Sequence, residues 1–278
     1  MPPLPTRLRG KLDRYRGLVR NVANWPAYLA WKASGARGPF TFEIPGLGTF
    51  PVEGRRLGPF RENLLDEVYY VRLPEPARAL LPEAPVVLDV GANVGYFALG
   101  TFLRYPRAKV YSFEPHPYCL GELRRERDRF PQFEWVVDPR ALGERDGEVA
   151  LHTTGVNQYS STSGTRPHAA RGVAVDVPLA TLDTALATHG LAWVDLAKID
   201  AEGGEYPLLY GAGDEALRRV RVLAIEAHPD PKPRHDRASL ADHLRERGFT
   251  VDRRDASEEA ALLFAWREDY RPSPALAR

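Results

Sequence analysis

The stretch VVLDVGANVG, residues 86–95, decides the fold of this chain. Its first five residues are mostly apolar and indicate a buried strand, and the glycines that follow indicate a tight turn into a helix from Tyr96. A strand, a glycine turn and a helix in this order are typical of the ligand-binding edge of a doubly wound α/β sheet. The free N–H groups at the start of such a helix favour a carboxylate or a phosphate.

The same alternation continues along the chain. We predict further strands at 109–113, 133–137, 196–199 and 220–225 and helices at 96–104, 118–130, 207–217 and 239–247. Strands that alternate with helices favour a parallel sheet with right-handed crossovers. The closing strand pair, 250–253 and 261–266, predicts one antiparallel strand at the edge of the sheet.

The segment before residue 86 has a different character. Residues 4–32 have the spacing of an amphipathic helix with a basic face, which ends near Pro26 or continues after it. Residues 35–58 are rich in glycine and proline, and we interpret them as a hairpin or loop. Residues 63–81 are predicted to be helical and lead into the sheet.

Composition excludes several classes of protein. Lys and Arg number 38 against 37 Asp and Glu, a net charge of +1, which gives no general attraction to nucleic acid. Cys119 is the single cysteine, so neither an intramolecular disulfide nor a cysteine-based zinc site is available. No apolar run has the length of a membrane span, and the N-terminus lacks a signal-peptide pattern, so we expect a cytoplasmic protein. The sequence leaves a homodimer open.

Two features around the first glycine turn restrict the class of ligand that the turn could bind. The spacing is G-x-N-x-G rather than G-x-G-x-x-G, so Asn93 stands where a dinucleotide binder needs a small residue. Glu114 ends the next predicted strand, 19 positions after Gly95. A carboxylate at about this distance is placed to accept the ribose hydroxyls of an adenosine-containing cofactor.

Polar side chains also end two later strands. Lys198 and Asp200 are two positions apart, so their side chains leave the same face, and Glu226 and His228 have the same spacing one strand later. We expect all four at the ligand-binding edge, where close carboxylates and cations shift one another's pKa values. They could supply a general base with an orienting partner, or Asp200, Glu226 and His228 could ligate a divalent ion such as Mg²⁺.

Six motifs in order resemble those of the FkbM-type S-adenosylmethionine-dependent methyltransferases. They are DVGANVGYFAL, YSFEPHP, ALGERDGEVAL, VPLATLD, LAKIDAEGGEYPLLYGA and VLAIEAHP, and the resemblance covers roughly residues 63–266. It implies the Rossmann-like class I methyltransferase fold, a doubly wound, mostly parallel sheet of seven strands. It also implies O-methylation, chiefly of sugar or polyketide hydroxyls.

The same resemblance assigns residues to the cofactor. It places the methionine part at Asp89, Gly91, Asn93 and Gly95, the ribose at Glu114, and the adenine near residues 138–142, which include Asp138, Ala141 and Leu142. Ala201 and Gly204 depart from the family pattern, which has Val and Ala there. Residues 155–172 match only loosely, and we expect a substrate lid there, so the identity of the acceptor is not transferred.

We therefore divide the chain into an N-terminal helix and hairpin extension, 1–62, a methyltransferase domain, 63–270, and a C-terminal tail, 271–278. The mechanism expected is in-line attack by an acceptor hydroxyl on the methyl group of S-adenosylmethionine. Asp200 or His228 would be the base, Glu226 would orient His228 or hold a metal ion, and Lys198 could stabilise the developing alkoxide. The alternatives are a nicotinamide-dependent oxidoreductase, which should show G-x-G-x-x-G, and a binding protein without catalysis.

Overall fold

A computed structural model of the chain describes residues 15–153, 160–161, 173–228, 230–254 and 261–268. Most of the predicted lid, the first part of the predicted N-terminal helix and the C-terminal tail lie outside the described residues. None of the described helices is long and apolar enough to cross a membrane.

The elements run in the following order. The helices are α1 (15–21), α2 (Trp25–Ala33), α3 (Leu57–Phe60), α4 (Val68–Val71), α5 (Glu75–Ala79), α6 (Tyr96–Arg104), α7 (Pro117–Arg129), α8 (Leu182–Thr188), α9 (Glu205–Gly211), α10 (Asp214–Arg218) and α11 (Arg237–Glu246). The strands are β1 (Phe40–Ile44), β2 (Gly48–Val52), β3 (Val86–Val90), β4 (Lys109–Phe113), β5 (Glu134–Asp138), β6 (Ala141–Leu142), β7 (Gly147–Thr153), β8 (Ser160–Ser161), β9 (Val173–Ala180), β10 (Val194–Ile199), β11 (Val220–Ala227), β12 (Thr250–Arg254) and β13 (Ala261–Trp266). A 3₁₀ turn at Gly54–Arg56 precedes α3, and a π-helical turn at Arg61–Leu65 follows it.

The central sheet has seven strands in the order β12-β13-β11-β10-β3-β4-β5. All its pairings are parallel except those of β13, which is antiparallel to both β11 and β12. The predicted doubly wound, mostly parallel, seven-stranded sheet is confirmed. The predicted place of the antiparallel strand is wrong, because β13 lies one strand in from the edge. Its sequence, ALLFAW, is apolar, with residues 262–266 buried, whereas Arg253 of β12 is exposed and suits an edge.

Helices cover both faces of this sheet, and the side chains of successive strand residues point to opposite faces. Val87 of β3 packs in the core beneath α6 and the N-terminal extension, while Leu88 packs in the core beneath α9, α10 and α11. The extension contributes large side chains to the first core, including Phe42 of the β1–β2 hairpin and Phe60 of α3. The predicted hairpin is confirmed, and its apolar face is part of the main core.

The helical prediction for 63–81 is confirmed only in part, because the segment is not one continuous helix. The chain forms the π-helical turn, then α4 and α5 as separate helices. The first break is at Glu67, whose φ of 43° is left-handed, and Pro74 begins the second. Burial explains the first break. The Glu67 carboxylate is 3% exposed and accepts hydrogen bonds from Arg104 at 2.9 Å, from the Asn21 amide at 3.0 Å and from Arg20. This ionic contact joins α1, α4 and α6.

A second, four-stranded sheet has the order β6-β9-β7-β8. Its centre is a seven-residue antiparallel pairing of β7 with β9, from Gly147↔Leu179 to Thr153↔Val173. We predict no strand between 137 and 196 from the sequence, so this sheet is not anticipated there. The alternation of Val173, Val175, Val177 and Leu179 was the available signal.

We expect Glu67→Ala to lower the free energy of unfolding by about 1–3 kcal/mol, because a buried carboxylate with charged hydrogen-bond donors is lost. The matched control is Glu83→Ala. Glu83 also contacts an arginine, Arg107, at 2.9 Å, but the two side chains are 90% and 73% exposed, so its loss should cost under about 0.5 kcal/mol. Urea denaturation checks both variants. Equal losses would contradict the role given to Glu67.

Candidate active site

At the glycine turn after β3 the backbone lies very close to the backbone at the end of β10. Gly91 has φ 72°, and a Cβ there would lie 1.8 Å from the backbone oxygen of Asp200, at the end of the neighbouring β10. A Cβ on Gly95, φ 91°, would lie 2.8 Å from the side chains of Leu123 and Trp135. Only glycine fits at either position without displacing a neighbour. The turn is therefore built against the adjacent strand and against α7 and β5.

Asn93, between these glycines, is left-handed at φ 52°. Its Oδ1 is buried and has no hydrogen-bond partner among the described residues. A buried acceptor of this kind normally finds a donor. The amino group of the methionine part of S-adenosylmethionine is such a donor. Gly95 caps α6 without a side-chain hydrogen bond, so the free N–H groups of this helix also suit the carboxylate of that part.

Glu114 lies where the sequence predicts it, directly after β4 and beside the glycine turn. Its Oε2 accepts from the N–H of Asn93 at 2.7 Å, and its Oε1 from the N–H of His116 at 2.8 Å. Each oxygen keeps a lone pair for a ligand hydroxyl. Burial raises the pKa of Glu114 to about 7, although both backbone hydrogen bonds oppose the rise. Its role toward the ribose stays a prediction.

Asp138, at the end of β5, is the next carboxylate along the same edge. It is buried and accepts from Arg140 at 2.6 Å and from His189 at 2.8 Å. Burial raises its pKa, but the hydrogen bonds from Arg140 and His189 outweigh this and hold it below the usual range. Ala141 and Leu142 form β6 and are buried against β9. The proximity of these residues to adenine stays a prediction.

Lys198 lies beneath the turn, with 3% of its side chain exposed. Its ammonium donates to the carbonyl oxygens of Gly91 at 2.8 Å and Val90 at 3.4 Å, and lies 3.3 Å from Asp89 and 3.5 Å from Asp200. Burial lowers its pKa, but the carboxylates of Asp200 and Asp89 raise it more, and the net shift is upward. Lys198 is therefore a buried cation surrounded by these four groups, and its role toward a developing alkoxide stays a prediction.

Asp200 and Glu226 form a half-buried rim at the ends of β10 and β11, 27% and 30% exposed. The Tyr69 hydroxyl lies between them, 2.8 Å from Glu226 Oε2 and 3.2 Å from Asp200 Oδ2. Burial and the charge of Asp200 raise the pKa of Glu226 to about 7, against the opposing effects of His228 and Tyr69. A carboxylate with this pKa exchanges protons near neutral pH.

His228 lies on the same rim, as predicted, but in a different chemical state. Its Nδ1 is 3.2 Å from Glu205, while Nε2 is 3.7 Å from Glu202 and 3.9 Å from both Asp200 and Glu226. Burial lowers its pKa, but the hydrogen bond and charge of Glu205, then Asp200 and Glu202, raise it to about 10. His228 is therefore an imidazolium at neutral pH, with both ring nitrogens protonated, so it has no lone pair with which to accept a proton. Glu205, not Glu226, orients it.

The predicted metal ligands are only partly brought together. Among the described residues, ligand atoms of Asp200, Glu202 and His228 lie within 4.8 Å of one another, and Glu226 is not in this group. An imidazole must be neutral to bind a metal ion, so an ion at this group would have to displace the proton that its carboxylate partners hold on His228. A metal ion at Asp200, Glu202 and His228 stays a prediction.

Sequence reasoning missed three residues of the site. Glu202 and Glu205 stand in the quoted motif LAKIDAEGGEYPLLYGA, but spacing alone did not show that they face His228. Tyr69 lies 131 positions from Asp200 and 157 from Glu226, in a segment predicted as plain helix. No local pattern signals a contact of that range.

Comparison with known proteins places this geometry in context. A family model described as the methyltransferase FkbM domain matches residues 89–251. AMB antimetabolite synthetase AmbE of Pseudomonas aeruginosa is 30% identical over 71% of this chain, which spans only 11% of that protein. The 31-O-demethyl-FK506 methyltransferase FkbM of Streptomyces tacrolimicus is 28% identical, over 69% of this chain and 81% of its own length. Hexuronic acid methyltransferase AglP of Haloferax volcanii is 25% identical, over 77% and 86%.

We expect Gly91→Ala to lower the free energy of unfolding by about 2–6 kcal/mol, because a clash and a strained left-handed backbone add together. Gly121→Ala is the control. It lies within α7, where a Cβ meets nothing within 4 Å, and should stabilise by about 0.5–1 kcal/mol. Denaturant unfolding and calorimetry with S-adenosylhomocysteine measure both variants. A stable Gly91→Ala protein that binds this ligand as tightly as wild type would contradict the placement of the turn.

A second prediction concerns Glu114 and pH. The ionised carboxylate accepts ribose hydroxyls better than the protonated group, so affinity should fall as the pH drops through about 7. If only the ionised form binds, the limit is about tenfold per pH unit below the pKa, with a plateau above it. Calorimetric titration of S-adenosylhomocysteine between about pH 6 and pH 8 measures this. Glu114→Gln should bind more weakly and without this pH dependence. A wild-type affinity that is constant over the range would remove Glu114 from the ribose.

Proposed function

Since the chain belongs to the FkbM methyltransferase family and is an S-adenosylmethionine-dependent methyltransferase, we propose that it methylates a hydroxyl group of a small molecule. The acceptor we propose is a sugar or a polyketide-like natural product. The observation that carries the proposal is the half-buried rim of Asp200 and Glu226, which lies against the glycine turn at the ends of adjacent strands. Two hydrogen-bond acceptors at this place suit a substrate that is methylated on a hydroxyl oxygen more than one that is methylated on carbon.

The cofactor would be held by the residues of the first two motifs. Asn93 Oδ1 and the N-terminus of α6 would bind the amino and carboxylate groups of its methionine part, and Glu114 its ribose. S-adenosylmethionine supplies a methyl group on a positively charged sulfur. The carboxylates of Asp89, Asp200 and Glu226 lie on the same edge as the cations Lys198 and His228, so this edge carries charges of both signs.

The rim would bind and deprotonate the acceptor. Asp200 and Glu226 can each accept a hydrogen bond from a hydroxyl, which would orient its oxygen lone pair toward the transferred methyl. Glu226 is the better base near neutral pH, because its pKa of about 7 matches the working range. His228, as an imidazolium, would hold the surrounding carboxylates in place rather than accept the proton. Lys198 would fix Asp200 and the turn.

The names of two relatives support the acceptor class. One acts on 31-O-demethyl-FK506 and another on a hexuronic acid. Family membership leaves no support for a nicotinamide-dependent oxidoreductase, and the G-x-N-x-G turn agrees with this. The acceptor-binding segment that we expect at 155–172 lies largely outside the described residues, so these classes remain a proposal.

We expect turnover of S-adenosylmethionine to S-adenosylhomocysteine with a hydroxylated acceptor, and a product that carries one methyl group on oxygen. The panel is 31-O-demethyl-FK506, methyl glucuronosides and neutral methyl glycosides, with the site of methylation read by mass spectrometry and NMR. Glu226→Gln should lower kcat by about 10²–10⁴-fold, the usual contribution of a general base. Asp200→Asn should lower kcat by less, because it removes an orienting hydrogen bond, and both variants should leave cofactor affinity nearly unchanged. EDTA should leave the rate unchanged.

Two outcomes would contradict the proposal. A methyl group on nitrogen or carbon in the product would remove the hydroxyl acceptor. Full activity in both rim variants would remove the rim from the reaction. Loss of activity in EDTA that Mg²⁺ restores would instead show that the Asp200, Glu202 and His228 group binds a metal ion, and would overturn the assignment of His228 as a fixed cation.

A further inference from the structure

His116 joins the cofactor side of the molecule to the second sheet. It follows Glu114 by two positions, after the end of β4, and is the N-cap of α7. The residue is buried, and its ring lies between the first backbone N–H groups of α7 and Thr153, the last residue of β7. One side chain therefore contacts both the helix that follows Glu114 and a strand of the second sheet.

The contacts of this ring fix where its proton lies. Nδ1 of His116 is 3.1 Å from the backbone nitrogen of Tyr118 and 3.5 Å from that of Cys119, and both N–H groups are donors. Nδ1 must therefore be the nitrogen without a proton, because a protonated ring nitrogen cannot accept. The ring is then neutral and carries its one proton on Nε2. Nε2–H donates to Thr153 Oγ1, at 2.8 Å.

The backbone of His116 holds Glu114 within the same loop. Its N–H donates to Glu114 Oε1 at 2.8 Å, while the N–H of Asn93 donates to Oε2 at 2.7 Å. Because the two donors come from different loops, the carboxylate is fixed at both oxygens. The directions of its remaining lone pairs depend on where these two loops lie. Close packing at Gly91 and Gly95 fixes the first loop, and the ring contacts of His116 fix the second.

The strand that carries Thr153 is itself held in place. β7 pairs with β9 over seven residues, and Thr153 is opposite Val173 in this register. β9 also pairs with β6, which follows β5 of the central sheet after residues 139 and 140. Thr153 is buried. The second sheet is therefore tied to the ligand-binding edge of the central sheet, and Thr153 gives the ring of His116 a fixed partner.

We propose that His116 is a positioning residue for the cofactor, which holds the loop of Glu114 between the start of α7 and the end of β7 so that this carboxylate faces the ribose hydroxyls. The inference rests on the binding of the ribose by Glu114 in the proposed function. It gives the second sheet a part in cofactor binding, because Thr153 accepts the ring proton. Loss of either ring contact should loosen the loop and weaken cofactor binding.

A looser loop also changes the titration of Glu114. Burial raises the pKa of this carboxyl, and the backbone hydrogen bond from His116 is the largest effect that opposes the rise. Lys198 of β10 lowers the pKa further, and Asp89 of β3 raises it. The thiol of Cys119 in α7 also faces Glu114. A variant that weakens the hydrogen bond from His116 and keeps the other groups should therefore raise the pKa of Glu114.

The position of the ring proton is tested by NMR. Protein labelled with ¹⁵N at histidine is measured at neutral pH as its S-adenosylhomocysteine complex, and His116→Asn identifies the signals of this ring. Wild type should show a neutral ring with its proton on Nε2. A proton on Nδ1, or a doubly protonated ring, would overturn the proposal, because the ring could then not accept from α7.

Calorimetric titration of S-adenosylhomocysteine against pH tests the positioning. His116→Ala removes both the cap and the contact with Thr153, so the midpoint of the fall in affinity at low pH should rise by about one pH unit. Asp236→Ala is the matched control, because Asp236 Oδ1 caps α11 in the same way, 2.9 Å from the backbone nitrogens of Ala238 and Ser239. It should leave the midpoint unchanged. Equal midpoints in the two variants would overturn the proposal.

Thr153→Val keeps the proposal falsifiable if His116→Ala fails to fold. It keeps the cap and the size of the side chain but removes the acceptor of the ring proton, so affinity for S-adenosylhomocysteine should fall by about three- to tenfold. Thr101→Val is the control, because Thr101 is also buried and loses a 2.8 Å hydrogen bond, to the Tyr70 hydroxyl. It should bind as wild type does. Equal affinities in the two threonine variants would overturn the proposal.

The proposed function and this inference fail in different ways. Wild type that binds no S-adenosylhomocysteine, or Glu114→Gln that binds it as tightly as wild type, would contradict the cofactor site and with it the role of His116. If binding depends on Glu114 but is unchanged in His116→Ala and Thr153→Val, the cofactor site stands and only the role of His116 is removed.

Discussion

The buried ammonium of Lys198 is the contact on which the rest of the site depends. A lysine with 3% exposure must be surrounded by acceptors, because an unpaired charge in the core costs several kcal/mol. Its partners come from two adjacent strands and the residues directly after them. They are Asp89, Val90 and Gly91 of β3 and its turn, and Asp200 after β10. One cation thus fixes the glycine turn that is expected to hold the cofactor and the carboxylate that is expected to meet the acceptor.

The N-terminal part of the chain, residues 15–81, completes this arrangement. Its hairpin and short helices fill one face of the sheet, and the break at Glu67 directs α4 so that Tyr69 reaches the rim. Residues 15–81 therefore both fill the core and bring the Tyr69 hydroxyl to the rim.

Strong local patterns made much of this predictable. The apolar strands and the turn at 86–95 define the doubly wound sheet, and alternate spacing placed Lys198, Asp200, Glu226 and His228 at one edge. The burial of the site residues and their contacts with residues far away in the sequence were not predictable. The state of His228 depends on Glu205 and Glu202, which spacing does not bring to it, and Tyr69 comes from over a hundred positions away. The order of β12 and β13 required knowing which strand could stay exposed.

The most direct test of this arrangement is a crystal structure of the complex with S-adenosylhomocysteine. We expect the homocysteine part to lie over the turn from Gly91 to Gly95, with its amino group at Asn93 and the ribose at Glu114. The sulfur, which marks where the methyl group would leave, should face Asp200 and Glu226. A ligand bound in this turn with its sulfur directed away from that rim, toward Asp138, would contradict the central claim that the rim meets the acceptor hydroxyl.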